Sequence, residues 1–249
     1  MTKSFARQTF LGLTYDLASL DQTLDWVAEA ARRESFVYIV TPNVDHVVRL
    51  QDRPVTEAIA LAYGEASLTL CDSRILGALA KLSGIDLTIV PGSDLTAALL
   101  GSSRFDGLHV LVVGGTIATL DMLARRFDRV RWTQFIPGPR VLSSAEDQRT
   151  IMEAVTSARA DLVFMAFGAP QSELVCWQIQ RSGTARGVAL CVGASLEFLT
   201  GEKRRAPRIF QRLYLEWLFR LLSEPRRLWR RYLVVGPRVF HIWWNSRRS

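Results

Sequence analysis

From Ser35 onward the chain repeats one local pattern: a short apolar, β-branched run, a turn of Gly, Pro, Asp or Ser, then an amphipathic stretch. The runs are FVYIVTPN before residues 44–50, SLTLCDS before 74–82, LTIVPGSD before 95–100, HVLVVGGT before 117–127, ADLVFMAFGAP before 171–180 and GVALCVGAS before 196–199. A weaker run at 130–136 precedes PGPRVLSSAED. Strands that are apolar at nearly every position are buried on both faces, and a parallel sheet with helices over each face provides that burial. Six or seven such units predict an α/β fold, a Rossmann-like parallel sheet flanked by helices. At 249 residues, 49% of them hydrophobic, the chain has enough apolar material for a core of that size.

In open parallel sheets ligands lie beyond the carboxyl ends of the strands, so the turns are where chemistry is to be sought. Gly114 and Gly115 stand between a strand and a helix, where backbone N–H groups can approach a diphosphate, although glycines that only make a tight turn would read the same. Neither G-x-G-x-x-G nor the G-K-[ST] of a P-loop is present. Gly92, Ser93 and Asp94 form a second such turn, with plain helix capping as the alternative. Asp72 directly follows the apolar run 68–71, so its carboxylate should sit at the ligand end of the sheet, where it could act as a general base, although Asp before a helix is commonly its N-cap. Thr41 and Asn43 offer a hydroxyl and an amide at the end of an earlier strand, or a turn and cap. His46, His109 and His241 show no metal-ligand spacing, and there is no D-x-D or G-x-S-x-G. Surface or packing roles are expected for the histidines. Cys71, Cys176 and Cys191 lie in or beside apolar runs and read as buried free thiols of a reducing compartment.

Charge divides the chain unevenly. Residues 202–249 carry 13 Lys and Arg against 3 Asp and Glu, a net +10, which leaves −3 for residues 1–201. The compositional break at GEKRRAP, 201–207, sets the expected boundary between an acidic α/β body, 1–201, and a basic appendage, 202–249. Such asymmetry suggests an anionic partner, a lipid surface or a nucleic acid. Four of the seven tryptophans, Trp217, Trp229, Trp243 and Trp244, fall in the appendage, and Trp with Arg favours the lipid headgroup level. Apolar residues from Ile209 to Leu222 leave Arg205, Arg208, Arg212, Arg220, Arg226, Arg227, Arg230 and Arg231 for other faces. Two short amphipathic helices broken near Pro225 are expected, with a helical hairpin packed on the body as the alternative. No secretory signal or spanning run is evident, so the expected location is the cytoplasm, peripheral on the inner face of the membrane.

In this order, TPNVD, the strand-ending Asp72, PGSDL, VVGG, FGAP with Glu173, VGAS with FLTG, and RRAP…LEWLFRLLSEPRR…RY resemble the WecG/TagA/CpsF glycosyltransferase family, over about residues 36–231. The resemblance implies inverting transfer of a sugar, of hexose or N-acetylhexosamine type, from a UDP-sugar to a polyprenyl-diphosphate-linked glycan, with no metal and no cofactor. It implies Asp72 as general base, with Thr41 and Asn43 as polar contacts. A nucleotide and substrate site is implied around Gly92, Ser93, Asp94, Gly114, Gly115, Gly168, Pro170, Glu173, Gly193 and Glu197. Arg205, Arg220 and Arg226 match basic residues of an appendage that closes the site and touches an anionic membrane, Arg220 serving the leaving diphosphate. The chain departs from the family pattern in having Asp72-Ser73 for Asp-Gly, Ser172 in the P-x-Q-E stretch, Glu197 for Asp, and PGPR in place of G-Y-F. Those are contacts that would read the donor. The competing readings are a non-catalytic membrane or nucleic-acid binding module on the same scaffold, and a nicotinamide or S-adenosylmethionine enzyme, the latter weakened by the missing fingerprint.

Overall fold

The computed structural model describes residues 4–51, 57–141, 143–207, 209–210 and 213–248; Arg208 and Arg212 of the expected basic face lie outside them. A six-stranded sheet of wholly parallel pairs forms the centre. Its strands are β3 (Phe36–Val40), β4 (Leu68–Thr69), β5 (His109–Gly114), β6 (Arg131–Phe135), β7 (Leu162–Ala166) and β8 (Gly187–Cys191), in the order β4-β3-β8-β7-β5-β6. The expected Rossmann-like α/β architecture is what the chain adopts.

Period-two alternation divides the strand residues between two cores. Val110, Val112, Phe164 and Leu190 face one layer, built from α1 (Leu20–Ala30), α5 (Gly92–Gly101) and α6 (Ile117–Arg126). Leu111, Val113, Met165 and Cys191 face the other, built from α2 (Val44–Gln51), α3 (Glu57–Gly64), α4 (Arg74–Leu82), α7 (Ala145–Ala158) and α8 (Gln171–Ser182). Because both faces are covered, the central strands β7 and β8 carry no polar side chain, whereas the edge strand β6, RWTQF, is polar at three of five positions. All three cysteines are buried and unbridged, as expected.

Three local features differ from the sequence-based reading or extend it. Among the described residues the stretch Leu87–Val90 makes only a bridge, Cys71 to Ile89, beside β4. Ahead of the first expected unit stands a hairpin of β1 (Arg7–Phe10) and β2 (Leu13–Asp16), turned by Leu11 and Gly12, both with positive φ. Asp16 ties it to the sheet: its carboxylate accepts the Thr69 backbone N–H at 2.8 Å and pairs with Arg7 at 2.8 Å.

The third feature is in the appendage. The helices are broken near Pro225 as expected, and Pro225 opens the second of them, a position where its missing N–H costs nothing. After α9 (Ser195–Thr200) the chain forms α10 (Glu216–Ser223), then α11 (Pro225–Trp229), a π-helical turn (Arg230–Val235) and α12 (Arg238–Ser246). Leu228 and Val239 are buried to 3% and 1% exposure, worth about 1.5–3 kcal/mol each. The Trp243 indole donates to Ser83 Oγ at 2.8 Å. The appendage therefore packs on the body, over α2 and the carboxyl ends of the strands.

Candidate active site

A cavity of about 710 Å³ opens where the carboxyl ends of β3, β7 and β8 meet the appendage. Asp72 lies in its wall, one residue past the Cys71 bridge, with its N–H bonded to the Pro42 carbonyl at 3.1 Å. Capping of α4 falls to its neighbour: Ser73 Oγ accepts the Leu76 N–H at 3.2 Å. The Asp72 carboxylate is left to the cavity, where Oδ1 accepts the Gly92 N–H, the first peptide of α5, at 3.0 Å. Glycine suits this approach, since a Cβ at position 92 would stand 3.0 Å from Thr41 Oγ1.

Burial pushes the Asp72 carboxyl up to about 7, and Glu216 adds to the rise; the Gly92 N–H, Arg220 and the Asn43 side chain oppose it. An acid poised near neutrality suits a base that must take a proton and later release it. Glu173, in the first turn of α8, is 1% exposed and also pushed up to about 7, first by burial, with its own backbone N–H and Tyr63 pulling it back. Its Oε2 has no partner among the described residues. His46 faces the same wall, its ring centroid 5.9 Å from that of Tyr63; burial and then Arg231 push it down to about 4, so it is neutral in the working range.

A stability prediction follows from Glu173. Its folded-state value lies above the ordinary 4.5, so the fold binds this proton more tightly than the unfolded chain does. Its stabilising effect is full below about 4.5 and is lost as pH rises through 7. Glu173→Gln should therefore gain about 2–3 kcal/mol on wild type between pH 5 and pH 8 in urea unfolding. A constant difference across that window would show that the carboxyl ionises freely.

Of the residues expected at the site, Thr41, Asn43, Asp72, Ser93, Gly168, Glu173, Gly193, Glu197 and Arg220 line the cavity. Asn43 Oδ1 accepts the Asp45 N–H at 3.0 Å, so its turn role holds as well, whereas Thr41 Oγ1 donates across to the Cys191 carbonyl at the end of β8, at 3.2 Å. Gly92 contributes its N–H, while Pro170 stands just outside the lining as the N-cap of α8. Asp94 pairs with Arg205 away from the lining. Gly114 and Gly115 turn at the same end of the sheet, on β5; a Cβ on Gly114 would meet the Ala166 carbonyl at 3.0 Å. Next to them the Glu202 carboxylate accepts from Thr119 Oγ1 at 2.6 Å, in the first turn of α6. Arg226 is exposed outside the cavity.

Several cavity residues were not expected at the site from the sequence. Arg227 lines the wall where Arg226 was expected, because burying Leu228 fixes the rotation of α11 and adjacent helical residues point about 100° apart. Lys203, paired with Glu197, and Arg231 add positive charge, and Trp217, Tyr232 and Phe240 line the outer wall. Arg220 lies over the Phe198 ring, 5.2 Å from its centroid. Among the described residues no three His, Cys, Asp or Glu side chains gather as a metal-holding group, and no helix is long and apolar enough to cross a membrane. A base, helix N-termini and arginines facing one cavity can remove a proton on one side and stabilise a departing anion on the other. In sequence, residues 8–249 match the model of the glycosyl transferase WecG/TagA/CpsF family.

Proposed function

The chain belongs to the WecG/TagA/CpsF family of glycosyl transferases, and from that premise we propose that it moves a hexose or N-acetylhexosamine from a UDP-sugar to a polyprenyl-diphosphate-linked glycan, with inversion and without a metal. Membership makes it a glycosyltransferase of cell-envelope polymer synthesis, taking a nucleotide-sugar donor and a glycan acceptor. It does not favour the non-catalytic binding module.

The observation that carries the reading is Asp72: a carboxylate in the wall of a large cavity, raised to about 7, with the capping of α4 left to Ser73. An acceptor hydroxyl oxygen attacks the anomeric carbon, forming the new glycosidic bond as its proton passes to Asp72. The bond from the anomeric carbon to the diphosphate oxygen breaks, and UDP departs with the electron pair. Attack opposite the leaving group inverts the centre. Arg220, with Arg227 and Lys203 on the same cavity wall, supplies the positive charge that the leaving diphosphate needs.

In the appendage Trp229 and Trp244 are exposed outside the cavity, Leu233 and Phe240 are exposed on its lining, Arg226 and Arg230 are exposed as well, and Arg248 lies 4.9 Å from the Trp244 ring centroid, a composition suited to an anionic bilayer surface. That supports an acceptor held by its lipid at the membrane while its sugar enters the cavity. On this reading 202–249 is an appendage with two duties, closing the site and meeting the membrane.

The test is a panel of UDP-sugars with a short-chain lipid-diphosphate-sugar acceptor, read by UDP release. One donor should give acceptor-dependent release, and release in no lane would overturn the reading. Turnover should persist in excess EDTA; loss that Mg²⁺ or Mn²⁺ restores would require a metal clamp on the diphosphate.

A further inference from the structure

Arg231, in the π-helical turn, reaches back to the loop after β3. Its Nη2 donates to Asn43 Oδ1 at 3.4 Å, and its Nε lies 3.6 Å from Asp45 Oδ2, an ion pair without a direct hydrogen bond. The same Asn43 oxygen already accepts the Asp45 backbone N–H at 3.0 Å. An amide oxygen has two lone pairs, and here both are engaged. Turning the amide over would set its NH2 against two donors, so the NH2 is committed to the opposite side. Asn43 and Asp72 line the same cavity, and the Asn43 side chain is among the groups that favour the ionised carboxylate.

We propose that Arg231 is a positioning residue for the base: by holding the Asn43 amide in one orientation it keeps a donor directed at Asp72, so that seating of the appendage sets how readily Asp72 accepts a proton. The catalytic consequence rests on Asp72 being the base; the geometric coupling does not. The other groups acting on Asp72 are the Gly92 N–H of α5, and Glu216 and Arg220 of α10. Arg74 of α4 and Asp45 and His46 of α2 share its cavity. None of them is altered in the variants below.

The test follows the Asp72 carboxyl itself, by ¹³C chemical shift against pH in the full chain without substrate. Wild type should titrate near about 7. Arg231→Gln should raise the midpoint by about half a unit to one unit, and Asn43→Leu by at least as much. The double variant should match Asn43→Leu alone, because an effect carried through Asn43 disappears with it. Arg231→Lys should fall between wild type and Arg231→Gln, since one ammonium cannot reproduce the guanidinium fork; it also serves if Arg231→Gln folds poorly. A midpoint that Arg231→Gln leaves in place, or a shift that adds in full to that of Asn43→Leu, would overturn the proposal and leave Arg231 a distant charge or a packing residue. If the titrations behave as described while no UDP-sugar gives turnover, the coupling stands and the assigned reaction falls.

Discussion

Asp72→Asn is expected to lower turnover by about 10²–10⁴-fold, the range for loss of a positioned general base. The amide keeps the shape of the carboxylate and an oxygen for the Gly92 N–H, so the wall of the cavity should survive the change. It also removes a buried carboxyl that the fold prefers protonated, so stability at pH 8 should not fall. Thermal stabilisation by UDP should persist, which separates lost chemistry from lost binding. In wild type the sign of the pH dependence is fixed: below about 7 the carboxyl holds its proton and cannot take another, so kcat/KM should climb through that region and then level. Full activity in Asp72→Asn would remove it from the role.

The second large effect is expected at Arg220. It lines the cavity from α10, over Phe198, and helps hold Asp72 ionised. Arg220→Ala should cost about 10²–10³ in kcat on a water-soluble acceptor analogue, the usual loss when one preorganised anion stabiliser is removed. Lysine should rescue only partly, because it lacks the planar fork that spans two phosphate oxygens. Arg226→Ala, on the exposed side of α11, should cost far less on that analogue and act mainly by weakening attachment to anionic liposomes. Equal losses at positions 220 and 226 would mean that the appendage acts through overall charge.

The body of the fold was legible because burial on both faces of the sheet leaves near-continuous apolar strands, and the turn after each strand carries Gly, Pro, Asp or Ser. Asp72, Thr41 and Asn43 were found from position alone, as polar residues at strand ends. The hairpin was not, since its strands are four residues each and its turn begins with Leu11, a residue that rarely adopts positive φ. Leu87–Val90 has the composition of a strand, but among the described residues its only pairing is one bridge. The choice of Arg227 over Arg226, and the reach of Arg231 to Asn43, depend on how α11 and the π-helical turn are rotated by Leu228 and Val239. Rotation of that kind is set by contacts far away in the chain, which a run of RRLWRRY does not contain.

The hydrogen bond from Thr69 to Asp16 bears on solubility at high concentration. β4 is an edge strand, and the open N–H groups of an edge are a template on which a second molecule can add its own strand. Here the Thr69 N–H is already taken by a carboxylate from the same chain, and the incoming backbone would meet Asp16, itself held by Arg7, in place of a free donor. With only two residues in β4, little else on that edge remains to be paired. The strand that leads to the proposed base is thus guarded against intermolecular pairing by the hairpin beside it.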